Sequence, residues 1–147
     1  MKIPEIEISV KFKGALKSEL KKINKSQDAA DVLRLLFDPG KIEWTEEFIM
    51  VCLGQSNKVI GYYKVSSGGM TVAIADTRVI CTVALQTCAV NVIVAHNHPS
   101  GNTTPSKADE AVTDRLKKAL ALLEIRLLDH VIITPDSYYS FADNGEI

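Results

Sequence analysis

The chain has little cysteine, little histidine and almost no charge imbalance, and each scarcity removes a class of protein. Only three of its 147 residues are cysteine: Cys52, Cys81 and Cys88. They are odd in number, form no CxxC and lie in hydrophobic stretches. That excludes a disulfide scaffold and reads as reduced core thiols of a cytoplasmic protein. The formal net charge of -1 argues against nonspecific nucleic-acid binding by the whole surface. A local basic patch of Lys11, Lys13, Lys17, Lys21, Lys22 and Lys25 remains, and a solvated helix face is its simplest reading. Apolar runs are far shorter than a bilayer span, no secretory leader is legible, and there is no repeat or low-complexity segment. With 46% hydrophobic and 24% charged residues, the composition suits one soluble globular domain, and the length is too short for an α/β barrel.

Periodicity gives the elements. Ile6, Ile8, Val10 and Phe12 alternate, which predicts a strand over residues 3–12, followed by a short lysine-rich helix. Ser26 is a candidate cap for a helix with Ala29, Val32, Leu33, Leu36 and Phe37 on one face, stopped by Asp38, Pro39 and Gly40. Residues 1–41 read as an appendage or docking surface to a core at 42–147. That core opens with a hairpin: a buried run from Phe48 to Leu53, a turn over Gly54 to Asn57, and a strand from Lys58 to Val65. The Ser66–Gly69 stretch reads as a plain turn before a short strand at Met70 to Ile74. A helix capped by Asp76 or Thr77 follows, with Val79, Ile80, Val83, Ala84, Leu85 and Cys88 inward, then a core strand from Asn91 to Ala95. Thr104 and Pro105 start a helix carrying Ala108, Val112, Arg115 or Leu116, Ala119 and Leu123 to about Glu124. Strands at Arg126 to Thr134 and Tyr138 to Phe141 close the domain. Alternating strands and helices predict an α/β (α+β) class around one mixed sheet.

Two of the three histidines, His96 and His98, fall in the run HNHPSGNTTPSKAD that ends at Asp109. Side chains alternate along a strand and its exit, so the two imidazoles point the same way with Asn97 turned aside. A hydrolytic zinc site usually takes three ligands from His, Asp or Glu and leaves one place for water, and His96, His98 and Asp109 supply that set. The helix start at Thr104 and Pro105 puts Asp109 in its first turns, beside the strand end. Glu46 and Glu47, at the mouth of the buried run, are candidate proton-transfer carboxylates, and Ser106 can donate a hydrogen bond to an oxyanion. Ser106 and Asp109 also have the spacing of a helix capping box, in which both side chains satisfy backbone amides. His130 reads as a core histidine bonded to its neighbour Asp129, a supporting role behind a metal ligand being the alternative. Metallo-β-lactamase-type sites need HxHxDH, whereas Pro99 and Ser100 follow here.

His96, His98, Ser106 and Asp109 match without a gap the HxH, seven residues, Ser, two residues, Asp signature of JAMM (MPN+) metalloproteases. With LDHVIIT and YYSF downstream, residues 42–147 resemble the RadC-like JAB-domain proteins of bacteria. The resemblance implies a JAB/MPN, cytidine-deaminase-like three-layer α/β/α fold with a mixed central sheet. It also implies Zn2+ on His96, His98 and Asp109, with Ser106 as oxyanion donor. A Glu at the head of the first core strand, followed by any residue and Phe, is part of the pattern. Glu46 before Phe48 fits it, with Glu47 as the fallback. The implied activity is a zinc-dependent metallohydrolase acting on a peptide or isopeptide bond. The alternative is a noncatalytic accessory metal-binding module in DNA repair or mobile-element function, with DNA as partner through the lysine-rich segment. Residues 1–41 lack the GxG-type hairpin between paired helices that longer RadC proteins carry and that is linked with DNA binding.

Overall fold

The computed structural model describes residues 1–14, 20–68 and 75–147 of the chain. Among the described residues, three helices, α1 (Ser26–Arg34), α2 (Thr77–Gln86) and α3 (Lys107–Leu122), accompany five strands. The strands are β1 (Glu47–Leu53), β2 (Val59–Ser67), β3 (Asn91–Asn97), β4 (Arg126–Ile133) and β5 (Tyr138–Ser140). They form one sheet in the order β2-β1-β3-β4-β5. Among these described strands β3 and β4 run parallel, and the other neighbouring pairs are antiparallel. The sheet is mixed, as expected, and the fold is a three-layer α/β/α arrangement. No helix among the described residues is long and apolar enough to cross a membrane.

β1 and β3 are buried along their whole lengths because both sheet faces are covered. On one face Phe48, Met50, Cys52, Val92 and Val94 pack with Ile80 and Ala84 of α2 and with Leu116 and Leu120 of α3. On the other, Ile49, Val51, Leu53, Ile93, Ala95, Val131 and Ile133 pack with Ala29, Ala30 and Leu33 of α1 and with Ile23 and Phe37. Residues 23–37, before the expected boundary at 41/42, thus supply the helical layer of that second face.

Several expectations are corrected. Residues 3–12 form no strand: the alternation marks an apolar side, but no backbone hydrogen bond joins residues 1–11 to any other described residue. The expected lysine-rich helix falls partly on residues 15–19, and the strand at 70–74 falls wholly on residues outside the description. Lys22 bridges Lys58, and Lys21 accepts from the Val59 amide, so residues 21–23 run beside the start of β2 rather than as a helix. Lys25, not Ser26, occupies the N-cap of α1, with no side-chain cap bond. Asp76 does cap α2, accepting from the Arg78 amide. Cys52 is buried, but Cys88 is exposed, at a left-handed residue (φ 52) just past α2. In α3 the buried stripe is Asp109, Thr113, Leu116 and Leu120, one position round from the apolar set. Its two polar members face the histidines, Asp109 toward His96 and His98 and Thr113 toward His130, for a reason that hydrophobic periodicity does not encode.

One buried side chain ties the loop before β1 to the end of β3. Asn97 accepts from the Glu47 amide (2.8 Å) and donates to the carbonyls of Ile42 and Thr45 (2.8 Å each). It thereby fixes residues 42–47 beside the histidines. Asn97→Ala leaves these backbone groups without partners and is expected to cost about 2–4 kcal/mol of unfolding free energy. Urea melts read this, and a loss under about 0.5 kcal/mol would contradict the clamp.

Candidate metal centre

β3 delivers His96 and His98 to one place. It runs antiparallel to β1, pairing His96 with Phe48, whose ring stacks on the imidazole with centroids 5.9 Å apart and planes within 4°. His98 follows the strand, and its amide bonds the Ile133 carbonyl. Gly101 then takes φ +79, which favours glycine, and the chain turns back so that the Asn102 carbonyl meets His98 Nδ1 at 2.6 Å. Ser106 caps α3 and the capping box is present: Ser106 Oγ accepts from the Asp109 amide and Asp109 Oδ2 from the Ser106 amide. The same Asp109 carboxylate lies 3.1 Å from His96 Nε2 and 3.3 Å from His98 Nε2. The capping and ligand readings of Asp109 are therefore compatible, since the cap orients the carboxylate that the histidines meet.

The His96 and His98 Nε2 atoms are 2.9 Å apart, and candidate ligand atoms of His96, His98 and Asp109 lie within 4.8 Å of one another. Bonds of about 2.0–2.1 Å in tetrahedral geometry require ligand atoms about 3.3 Å apart, so these separations fit a shared metal ion after small adjustments. Proton positions point the same way. A carbonyl has no proton, so the short bond to Asn102 places the hydrogen of His98 on Nδ1 and leaves Nε2 of the neutral ring bare. The His96 proton is set through His130. Thr113 Oγ1 donates its proton to the Asp109 carbonyl (2.7 Å), so its contact with His130 Nδ1 (2.6 Å) requires the imidazole to donate. Burial holds His130 neutral, pushing its pKa well below 6.5 with repulsion from His96 adding to the effect. Its Nε2 is then an acceptor, so His96 Nδ1 donates across 2.8 Å and its own Nε2 is bare. Two imidazole lone pairs and a carboxylate converge.

The charges agree. Burial opposes ionisation of Asp109, but the hydrogen bonds that His96 and His98 donate when protonated at Nε2 outweigh it and hold its carboxyl well below the usual range. The hydrogen bond with Asp109 raises the pKa of His98 above 6.5 against desolvation; the Asn102 carbonyl adds to this, as do the charges of Asp109 and Glu46. Without a metal a proton is thus drawn to the nitrogen that a cation would occupy.

The upstream carboxylates lie at and just before the start of β1. Phe48 lies opposite His96, so Glu47 shares the Asn97 side. Glu47 is buried, with long contacts of 3.5 Å to Lys64 Nζ and Ser67 Oγ. Glu46 is partly exposed, bonds the Gly68 amide through its carbonyl, and its charge is felt at His98. The His130 imidazole bonds His96 and Thr113 rather than the neighbouring Asp129 carboxylate that was expected. Asp129 accepts from Ser140 Oγ and the Ala142 amide and so holds the turn after β5, where Phe141 stacks on the His130 ring at 4.8 Å. Sequence reasoning missed Asn97 and Thr113. Their only signals were an Asn between two histidines and a Thr four residues after the acidic ligand, on the same helix face.

Thr113→Val and His130→Phe remove the bonds that orient His96, and each is expected to weaken metal affinity by about 10–100-fold. Competition with a chromophoric chelator measures this, and unchanged affinity in both variants contradicts the assignment. Because the His98 pKa is raised, affinity is expected to begin falling at a pH above 6.5 as the medium is acidified. The same titration repeated across pH checks the sign, and an affinity that holds until well below that value contradicts it.

A family model described as the RadC-like JAB domain matches residues 23–146. The chain is 41% identical over 127 residues to a UPF0758 protein of Flavobacterium johnsoniae, covering 86% of this chain and 54% of that one. It is 44% identical over 100 residues to the UPF0758 protein YfjY of Escherichia coli, covering 68% and 62%. A UPF0758 protein of Aquifex aeolicus is 36% identical over 140 residues, covering 95% and 58%. The chain thus spans between half and two thirds of the length of these curated relatives. The matched region takes in both sheet faces as well as the histidine–aspartate cluster, and on that extent the chain belongs to the RadC-like JAB domain family.

Proposed function

We propose that this domain is a zinc-dependent metallohydrolase that cleaves a peptide or isopeptide bond. The observation that carries the reading is the convergence of three ligand atoms from His96, His98 and Asp109, with Nδ1 of each imidazole bonded to a partner away from the shared point. A nitrogen–oxygen donor set of two imidazoles and a carboxylate suits zinc and leaves a place for water. When bound, zinc supplies an acidified water and polarises the substrate carbonyl. The rest falls to the chain. Glu46, whose charge is felt at His98 and whose neighbours Thr45 and Glu47 are held by the Asn97 clamp, accepts the proton released as the water oxygen bonds to the carbonyl carbon. It returns that proton to the departing amine nitrogen as the C–N bond breaks. Ser106 Oγ accepts the Asp109 amide bond and keeps its own hydrogen to donate to the oxyanion.

Glu46→Gln is expected to retain stoichiometric zinc yet lose about 100-fold or more of the hydrolysis rate. Zinc is counted by elemental analysis, and hydrolysis is followed on fluorogenic peptide and lysine ε-amino isopeptide substrates. Wild type that binds no zinc after metal-replete purification would sink the reading. An active wild type whose Glu46→Gln variant is equally active would remove Glu46 from it.

A further inference from the structure

Two stretches that the metal cluster does not by itself explain, LDHVIIT and YYSF, meet in the fold. His130 of the first and Phe141 of the second stack at 4.8 Å with planes 8° apart, and the Phe141 amide bonds the His130 carbonyl at 3.1 Å. Asp129 precedes His130 on β4, and its side chain takes the other side of the strand. Its two oxygens hold the residues on either side of Phe141: Oδ2 accepts from Ser140 Oγ at 2.6 Å and Oδ1 from the Ala142 amide at 3.0 Å. The Asp143 amide bonds Ser140 Oγ and the Glu146 amide bonds the Phe141 carbonyl, which closes the turn.

The carboxylate is a costly way to hold a turn. Asp129 is 4% exposed, and among the described residues no cationic side chain pairs with it. Burial pushes its pKa up, against the bonds from Ser140 and Ala142. A neutral side chain could cap a turn, but bonds to an ionised oxygen are roughly twice as strong as neutral ones, so this turn is stiffer than capping requires. The stiffness is delivered to a ring. His130 must meet Thr113 Oγ1 at 2.6 Å through Nδ1 and His96 Nδ1 at 2.8 Å through Nε2, both at once. The χ2 torsion of a histidine is broad and restrains that orientation little, so the restraint has to come from what packs on the ring face.

On the reading of His96, His98 and Asp109 as metal ligands, and independently of hydrolysis, we propose that Asp129 is a positioning residue of the metal centre. It acts through Phe141 on the His130 ring, and through that ring on His96. The turn over residues 140–146 thereby belongs to the centre, behind His130.

Zinc affinity of the full chain, read by competition with a chromophoric chelator and with far-ultraviolet circular dichroism to check folding, tests this. Asp129→Asn keeps the shape but withdraws the charge and one acceptor, and is expected to weaken zinc binding about three- to tenfold, less than the loss expected on removing His130 itself. Ser140→Ala and Phe141→Leu, which cut the path at its next two steps, are expected to act in the same direction. In a His130→Phe background, Asp129→Asn is expected to change affinity by less than about twofold, because the group it acts through is gone. Leu53→Ala, a core truncation at the far end of β1, controls for lost stability and is expected to leave affinity unchanged. Equal affinity in wild type and Asp129→Asn overturns the proposal, and so does the same fold loss with and without His130. A loss matched by Leu53→Ala assigns Asp129 to stability alone and overturns it too. Wild type that binds no zinc removes the metal centre and this role together, a failure distinct from the others because those require a wild type that binds.

Discussion

Two imidazole nitrogens held 2.9 Å apart against one carboxylate are the constraint around which this fold is arranged. Bare nitrogens and an ionised oxygen repel when brought together, so the chain must compel the approach or offer a proton or cation to share. It does the first with rigid elements. β3 is buried on both faces, Phe48 and His130 flank His96, and the capping box of α3 orients Asp109. The raised His98 pKa and the depressed Asp109 pKa record the second, because a proton at this point is stabilised by the groups a metal would meet.

The supporting groups are spread widely along the chain but meet over short distances. Thr113 and His130 orient His96, while the Asn102 carbonyl orients His98. Asn97 does its work from the other face of the same strand, holding residues 42–47 beside the strand end. Strand alternation thus lets three consecutive residues serve two purposes: two rings toward the cluster and one amide toward the loop that carries the carboxylate. Asp129 and His130 divide in the same way, one fastening the β5 turn and the other reaching His96.

Much of this was legible in the residues. The buried hairpin, the α2 and α3 helices, the closing strands and the mixed sheet follow from apolar periodicity and turn residues, and His96, His98 and Asp109 were found by spacing alone. The errors have physical causes. Asp109 and Thr113 are buried because they serve the cluster, so a hydrophobic pattern placed the inward stripe of α3 one residue away. His130 looked like a lone core histidine because its partners lie 34 and 17 residues distant in sequence. Alternation at residues 3–12 recorded an apolar side but held no information on whether a neighbouring strand exists.

Preorganisation of this cluster for a metal depends on where the imidazole protons sit before any metal arrives. Long-range nitrogen-15 correlation spectra of the metal-free protein, recorded above the raised His98 pKa, report which ring nitrogen of each histidine carries hydrogen. Protons on Nδ1 of His96, His98 and His130, with every Nε2 bare, are the expected result. A proton resident on Nε2 of His96 or His98 under those conditions would contradict a cluster preorganised to bind metal.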